Sequence, residues 1–249
     1  MIVVIGAGRI GGALHQRDPH QFALVDRQQG WELLEREPGE PILLAVRNDD
    51  LLAVLERVPE RRRADLVFAQ NGMLRPWLRE HGLTEVTRGL LFVAVPTRGA
   101  PIEPGGESPF FGPHAATMVQ AFTRVGLPAA VVSADAFAAV ELEKLIWNCA
   151  FGLCCEAFDC DVGTVVRDHA EQLRALVAEL LEVGAPALGV ELELGPLVNR
   201  LCDYSRSIPS YRGAVKEWPW RNGWFVETAR EQGRATPTHA QLLARVGRG

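Results

Sequence analysis

Ile2-Val3-Val4-Ile5-Gly6-Ala7-Gly8-Arg9-Ile10-Gly11 is the stretch that decides the fold. Four consecutive β-branched residues predict a strand covered on both faces, as in a parallel sheet. A G-x-G-x-x-G follows at once and opens a helical segment, the placement that gives this otherwise weak motif physical meaning. Gly6 permits the tight turn, Gly8 lets the backbone approach a pyrophosphate, and Gly11 lets the helix pack on the strand. The N–H groups at the helix start are then free to bind phosphates. Gly6, Ala7, Gly8, Arg9, Ile10 and Gly11 are therefore expected to bind a dinucleotide, the alternative being a glycine turn without ligand. Pro19 disfavours helical geometry at Asp18, so that first helix is expected to be short.

Outward from this turn, short apolar runs alternate with amphipathic stretches. Ile2–Ile5, Phe22–Val25, Ile42–Val46, Leu66–Ala69 and Leu90–Val95 read as strands. Trp31–Glu37, Asp49–Val58 and Leu74–His81 read as helices, with Asn48 expected to cap the second. Such alternation implies right-handed βαβ units and a Rossmann-type, doubly wound parallel sheet of the α/β class. Pro109–Gly112 reads as a short strand, His114–Val125 as a helix and Ala129–Val132 as a last strand. From Ser133 the pattern turns helical over Ala134–Cys155, Val166–Gly184 and Gly195–Ser205, then a Trp-rich stretch and a final helix. Ser133 or Asp135 is the expected cap of the first of these. Two domains are expected, 1–133 dinucleotide-binding and 134–249 helical.

The second strand ends at Val25-Asp26-Arg27. Asp26, twenty residues after Gly6, is placed to accept hydrogen bonds from an adenosine ribose and to repel a 2′-phosphate. Arg27 is the type of residue that binds that phosphate in a fork. The two pull in opposite directions, so NAD and NADP both stay open.

Composition sets the function classes aside. The chain of 249 residues has 26 Lys plus Arg against 31 Asp plus Glu, a net charge of −5. That argues against general affinity for nucleic acid or anionic membranes, which need clustered positive charge. The run Arg61-Arg62-Arg63 is expected to lie in a solvated loop. No apolar run approaches the roughly 18 residues of a membrane span, and the N-terminus lacks a charged leader, so a soluble cytoplasmic protein is expected. Of five cysteines, four fall between Cys149 and Cys160, but without a C-x-x-C. Their apolar surroundings predict buried thiols in a helical core, with no metal.

Proton chemistry is expected from Val140–Phe151. Lys144 and Asn148, four apart, share one helix face beside Val140 and Phe151. Partial desolvation would lower the Lys144 pKa towards the range useful to a general acid, and Asn148 would orient substrate oxygens. The alternative is a surface lysine paired with Glu143 or Glu141. Ala69-Gln70-Asn71-Gly72-Met73 follows the fourth strand at the edge where open α/β sheets bind ligands, although Asn-Gly is also a plain turn. Lys216–Trp224 adds three tryptophans, read as core or as a pocket wall.

Taken together, these segments resemble the ketopantoate reductase family. The carriers are Gly6–Gly11, Gln70-Asn71-Gly72-Met73, Glu143-Lys144-Leu145-Ile146-Trp147-Asn148-Cys149, and Lys216-Glu217 ahead of Asn222-Gly223. The resemblance implies an NADP-preferring reductase of a small 2-oxo acid, with a Rossmann domain, a helical domain and the active site between them. It implies Lys144 as general acid, Asn148 on the keto acid, Glu217 on the substrate hydroxyl side, and Asn71 positioning nicotinamide and lysine. Arg47 stands where the family has a lysine near the cofactor. Ser210 is the expected substrate serine, with Ser205 and Ser207 as alternatives. A homodimer is the expected assembly.

The chain departs from the family pattern at three places. Gly152 occupies the position of a second Asn, Arg98 replaces a His in Thr97-Arg98-Gly99-Ala100, and Lys216-Glu217-Trp218 replaces Thr-Glu-Ile. These departures point to a 2-oxo acid other than ketopantoate, bulkier in shape. A β-hydroxyacid or opine-type dehydrogenase, and a catalytically silent dinucleotide sensor, are the competing readings.

Overall fold

The computed structural model describes residues 1–248, and the chain divides into two compact units, Met1–Phe137 and Ala138–Gly249. The first holds nine strands: β1 Ile2–Ile5, β2 Phe22–Val25, β3 Ile42–Leu44, β4 Leu66–Phe68, β5 Thr87–Gly89, β6 Val93–Ala94, β7 Glu103–Pro104, β8 Ser108–Phe111 and β9 Ala129–Val131. Its helices are α1 Arg9–Arg17, α2 Leu51–Leu55, α3 Arg75–Glu80 and α4 Ala115–Arg124. Seven strands form one sheet in the order β2-β1-β3-β4-β5-β8-β9. All neighbours run parallel except β5 and β8. This is the doubly wound α/β sheet expected from the alternation. β2 and β3 lie on opposite sides of β1, so strand order reverses there and opens a crevice at the carboxyl ends of β1 and β3.

The core explains which segments pair. Ile2, Val4, Leu14, Phe22, Phe110, Met118 and Phe122 belong to one buried cluster that joins the sheet to α1 and α4. Phe122 meets Phe22 and Phe110 edge-on, with centroids 6.1 and 5.2 Å away, the geometry that aligns ring edge with ring face. α1 ends at Arg17, before Asp18 and Pro19, as expected.

Four local expectations are corrected. The fifth strand is Thr87–Gly89, not Leu90–Val95, of which only Val93–Ala94 pairs, with β7. Its signal was hidden because its residues are polar or small. Thr87 is fully buried and accepts a hydrogen bond from the His114 amide through Oγ1 (2.8 Å). At Gly89 the Phe110 ring lies 2.5 Å from where a Cβ would stand. Asn48 does not cap α2. It sits in a short 3-10 turn, Asn48–Asp50, and its Nδ2 donates to the Asn71 carbonyl (2.9 Å). The segment read as a helix over Trp31–Glu37 is a 3-10 turn over Trp31–Glu35.

Nor is the arginine run a solvated loop. Arg62 is fully buried, its Nε donating to Asp65 Oδ2 (2.6 Å) and its Nη atoms to the Arg36 (3.1 Å) and Glu40 (3.0 Å) carbonyls. Asp65 also accepts from the Gly39 amide, and His114 Nε2 lies 3.2 Å from it. A charge run tells nothing of which member finds buried partners.

The second unit is helical: α5 Ala134–Phe158, which begins four residues before the division, α6 Val162–Asp168, α7 Ala170–Leu188, α8 Leu194–Ser207, α9 Asn222–Glu231 and α10 Pro237–Arg245. Ser133 supplies the expected cap of α5, its Oγ accepting from the Ala136 amide (3.2 Å). Leu142, Leu145, Ile146, Cys149, Ala150, Phe151, Leu153 and Cys154 are buried around α5, as befits a helix apolar on most of its circumference. Four thiols are buried and Cys160 is half-buried; all five are free. Burial pushes the Cys154 thiol up to about 12, the mark of inert packing thiols. The helix expected over Val166–Gly184 is two, α6 and α7. Asp161 caps α6 at the Thr164 amide (2.8 Å), and the chain breaks at His169, whose ring stacks on Phe158 at 3.8 Å. α7 crosses α5 closely at Gly184, where a Cβ would meet Leu142 Cδ1 at 2.4 Å.

α10 is held by α7: Glu179 accepts from the Thr238 and His239 amides (2.8 Å each), satisfying the open N–H groups at its start. His239 is fully buried and its Nε2 lies 2.9 Å from Asn222 Oδ1. Burial pushes its pKa down to about 4, so it is neutral at pH 7 and ties α9 to α10. Among the described residues no helix is long and apolar enough to cross a membrane.

Candidate active site

The glycines of the first unit divide into two kinds. Gly6 has φ +118°, and a Cβ there would come within 2.7 Å of the Ala45 carbonyl oxygen just beyond β3. At Gly11 a Cβ would sit 2.0 Å from the Gly6 oxygen. Both are demanded by packing. Gly8 is not, since the nearest atom to its would-be Cβ is Ala45 O at 3.9 Å. Gly8 stands exposed at the N-terminus of α1, whose first turn bears no acidic residue. The cradle that a Cβ at Gly8 would fill, with the helix N–H groups around it, suits a phosphate group.

The other loops of this edge are tied together. Gln70 is buried and its Nε2 donates to the Leu44 carbonyl (2.8 Å), joining the ends of β3 and β4. Asn48, bonded to Asn71 O, does the same one step further out. Arg47 and Asn71 are exposed on these loops, following the carboxyl ends of β3 and β4. Ala7, Arg9 and Ile10 complete the turn after β1. At the end of β2, Asp26 Oδ1 accepts from the Gln28 (2.7 Å) and Gln29 (2.9 Å) amides, and these two bonds hold its carboxyl below the usual range. Arg27 is exposed beside it. The sequence reading missed Arg57, whose guanidinium lies 3.4 Å over the Trp31 ring while Nη1 reaches the Arg27 carbonyl (3.4 Å). The Trp31 indole in turn donates to Asp26 O (2.7 Å).

In the second unit, α5 places Lys144 and Asn148 one turn apart, and Asn148 Nδ2 donates to the Lys144 carbonyl (2.8 Å). That leaves Asn148 Oδ1 pointing at Arg221, whose Nη1 lies 3.4 Å away. Arg221 Nη2 donates to Glu217 Oε2 at 2.5 Å. Glu217 sits in the left-handed region (φ +49°), a conformation costing a non-glycine residue about 1 kcal/mol. The turn after it, Trp218–Trp220, packs against Gly223, where a Cβ would be 2.6 Å from Trp218 O. Thus Lys144, Asn148 and Glu217 gather around an arginine that motif reading passed over. Desolvation pushes the Lys144 pKa down to about 7, and the positive charge of Arg221 adds to the effect. Glu143 is held elsewhere, by a two-pronged pair with Arg200 (2.7 and 2.9 Å).

Beside this cluster lies a small recess of about 20 Å³, lined among others by Trp147, Asn148, Gly152, Ala214, Lys216 and Arg221. Gly152 admits no side chain: a Cβ would meet Ala214 O at 2.8 Å. The Gly213–Val215 segment is pinned there by Glu156, whose Oε2 accepts from the Val215 amide (2.8 Å). Backbone therefore fills the space of the second amide. Ser210 is exposed and is not among the residues lining the recess. Ser205 is buried, accepting from Trp147 Nε1 (3.0 Å) and donating to Leu201 O (2.9 Å). Ser207 is bonded to Tyr204 O (2.7 Å). None of the three tryptophans of Trp218–Trp224 lines the recess; Trp147 does. No cluster of metal-ligating side chains occurs among the described residues.

Residues 136–248 match the family model described as "Ketopantoate reductase PanE/ApbA C terminal". No curated protein is significantly similar in sequence. Among solved structures, a dimeric ketopantoate reductase from Staphylococcus aureus superposes with a TM-score of 0.76 at 16% identity, over 100% of this chain and 99% of that one. A 2-dehydropantoate 2-reductase from Methylococcus capsulatus gives 0.76 at 20% identity, over 98% and 94%. A D-mandelate dehydrogenase in complex with NADH gives 0.75 at 16% identity, over 99% and 97%. These likenesses establish the fold over the full length. Residues 136–248 are thus similar to the C-terminal part of ketopantoate reductases.

Proposed function

We propose that the chain is an NAD(P)H-dependent oxidoreductase that reduces a 2-oxo acid to the 2-hydroxy acid. The observation that carries this reading is the desolvated amine of Lys144, with a pKa near 7, one helical turn from Asn148 and beside Arg221 and Glu217. A bound nicotinamide dinucleotide supplies hydride to the carbonyl carbon. Lys144 Nζ donates the proton to the carbonyl oxygen as it gains charge, and a pKa near the working pH suits that transfer. Asn148 orients the substrate oxygens and Glu217 accepts from its hydroxyl side. Gly6, Gly8 and Gly11 with the α1 N–H groups hold the diphosphate, and Arg47 and Asn71 border it.

NADP(H) is the preferred reading of the cofactor, with NAD(H) as competitor. Its support is that one Asp26 oxygen is spent on two turn amides while Arg27 and Arg57 bring positive charge to the same turn. Gly152, covered by the Ala214 backbone, supports a 2-oxo acid other than ketopantoate. A homodimer, the state named for the Staphylococcus aureus relative, is the proposed assembly.

Turnover of a panel of 2-oxo and 3-hydroxy acids, followed by nicotinamide absorbance, tests the reading. Reduction of a 2-oxo acid is expected. Oxidation of 3-hydroxy acids alone would favour a β-hydroxyacid dehydrogenase, and cofactor binding without turnover would favour a sensor.

A further inference from the structure

Resting on the reading of the second unit as the 2-oxo acid site, we infer that Arg221 is the residue that binds the substrate's carboxylate. Arg221 is 9% exposed, yet its guanidinium is only partly used by the protein. Nη2 is engaged by Glu217, Nη1 has a long contact to Asn148 at 3.4 Å, and the buried Nε–H has no hydrogen-bond partner among the described residues. A buried donor left unmade costs about 1–3 kcal/mol, so it points to an acceptor that arrives with a ligand.

Three further observations give that acceptor its chemistry. Arg221 and Lys216 line the same recess and the Arg221 charge acts on Lys144, while of the carboxylates Glu217 is taken by Arg221 Nη2 and Glu156 by the Val215 amide. An anion is the complement of such a site. The recess is small, about 20 Å³, and carries Arg221 and Lys216 on its wall. Finally, Asn148 on its wall also reaches back to the turn that bears Lys144, so an anion docked on Arg221 Nε lies beside the residues that handle the neighbouring carbonyl. Ala214 over Gly152 closes the side where a second amide would stand, leaving the guanidinium to take the acidic end. A guanidinium binds carboxylate through parallel N–H groups, and here the Glu217 pairing and the incoming carboxylate use neighbouring nitrogens of the same fork.

The test uses the whole chain, saturated with NADPH, and two probes: oxamate, a carboxylate that mimics a 2-oxo acid, and its neutral ethyl ester. Binding is read by calorimetry for wild type, Arg221→Gln and Arg221→Lys. Oxamate affinity is expected to fall about 100-fold in Arg221→Gln and about tenfold in Arg221→Lys, where charge persists but the fork is gone. The ester should change by less than about threefold, and unchanged circular dichroism in Arg221→Lys covers the case in which Arg221→Gln does not fold. Equal losses for acid and ester would overturn the assignment, as would unchanged oxamate affinity or no oxamate binding by wild type. The wider reading fails separately: arginine-dependent oxamate binding in a chain that reduces no 2-oxo acid would keep the anion site and remove the reductase.

Discussion

The glycine turn after β1 and the cluster around Lys144 build their chemistry from different atoms. In the turn the groups proposed to bind the dinucleotide are backbone N–H donors, and side chains matter by being absent at Gly6 and Gly11. Around Lys144 the groups proposed to do the chemistry are side-chain tips drawn from α5 and from a turn more than 70 residues later, Glu217–Arg221. A backbone site is specified locally and survives with few residue types. A side-chain site depends on burial and on which distant charge ends up next to which.

The largest effect is expected on the side-chain site. Lys144→Ala should lower turnover about 1,000-fold, in the range lost with a general acid, while the NADPH dissociation constant moves less than about twofold. Equal loss of cofactor binding would blur the division between the two sites. On the backbone site, Gly8→Ala should weaken NADPH binding about 30-fold, because its Cβ enters the phosphate cradle, yet leave thermal stability alone. Gly11→Ala should do the reverse in order of cause: its Cβ would lie 2.0 Å from Gly6 O, so stability falls by about 2–3 kcal/mol in denaturant titrations.

Gly152→Asn sharpens the comparison from the second unit. Restoring the family amide should cost about 2 kcal/mol, because the Ala214 backbone is 2.8 Å from the new Cβ, and should not create ketopantoate turnover. The smallest effect is acid sensitivity. His239 binds its proton near pH 4 when folded but near the ordinary 6.5 when unfolded, so the unfolded chain takes up more protons in between. Stability should therefore drop as pH falls from about 6.5 to about 4, and His239→Gln should flatten that slope.

What could be read in advance follows the same division. β1, the glycine turn and the length of α1 were legible because apolar runs, φ-permissive glycines and Pro19 act within a few residues. The Lys144–Asn148 pair was legible too, since four positions on a helix are one turn. Thr87–Gly89 was not, because a buried strand can be polar when Thr87 finds the His114 amide and Gly89 makes room for Phe110. Arg62 looked like a solvent charge because its partners are carbonyls of Arg36 and Glu40, remote in sequence. Arg221 carries no motif of its own; only folding brings it to Asn148 and Glu217. Ser210 was chosen by order along the chain, and the turn after α8 leaves it exposed.

The role proposed for Lys144 requires its amine to give up its proton near neutrality. Its pKa can be followed directly by NMR of the Nζ group in lysine-labelled protein, with Lys144→Met to assign the signal. A titration near pH 7 is expected, with kcat/KM falling about tenfold per pH unit above it and folding stability rising with pH from about 7 towards the ordinary lysine value of 10.5. A signal that stays protonated to pH 10 would contradict it.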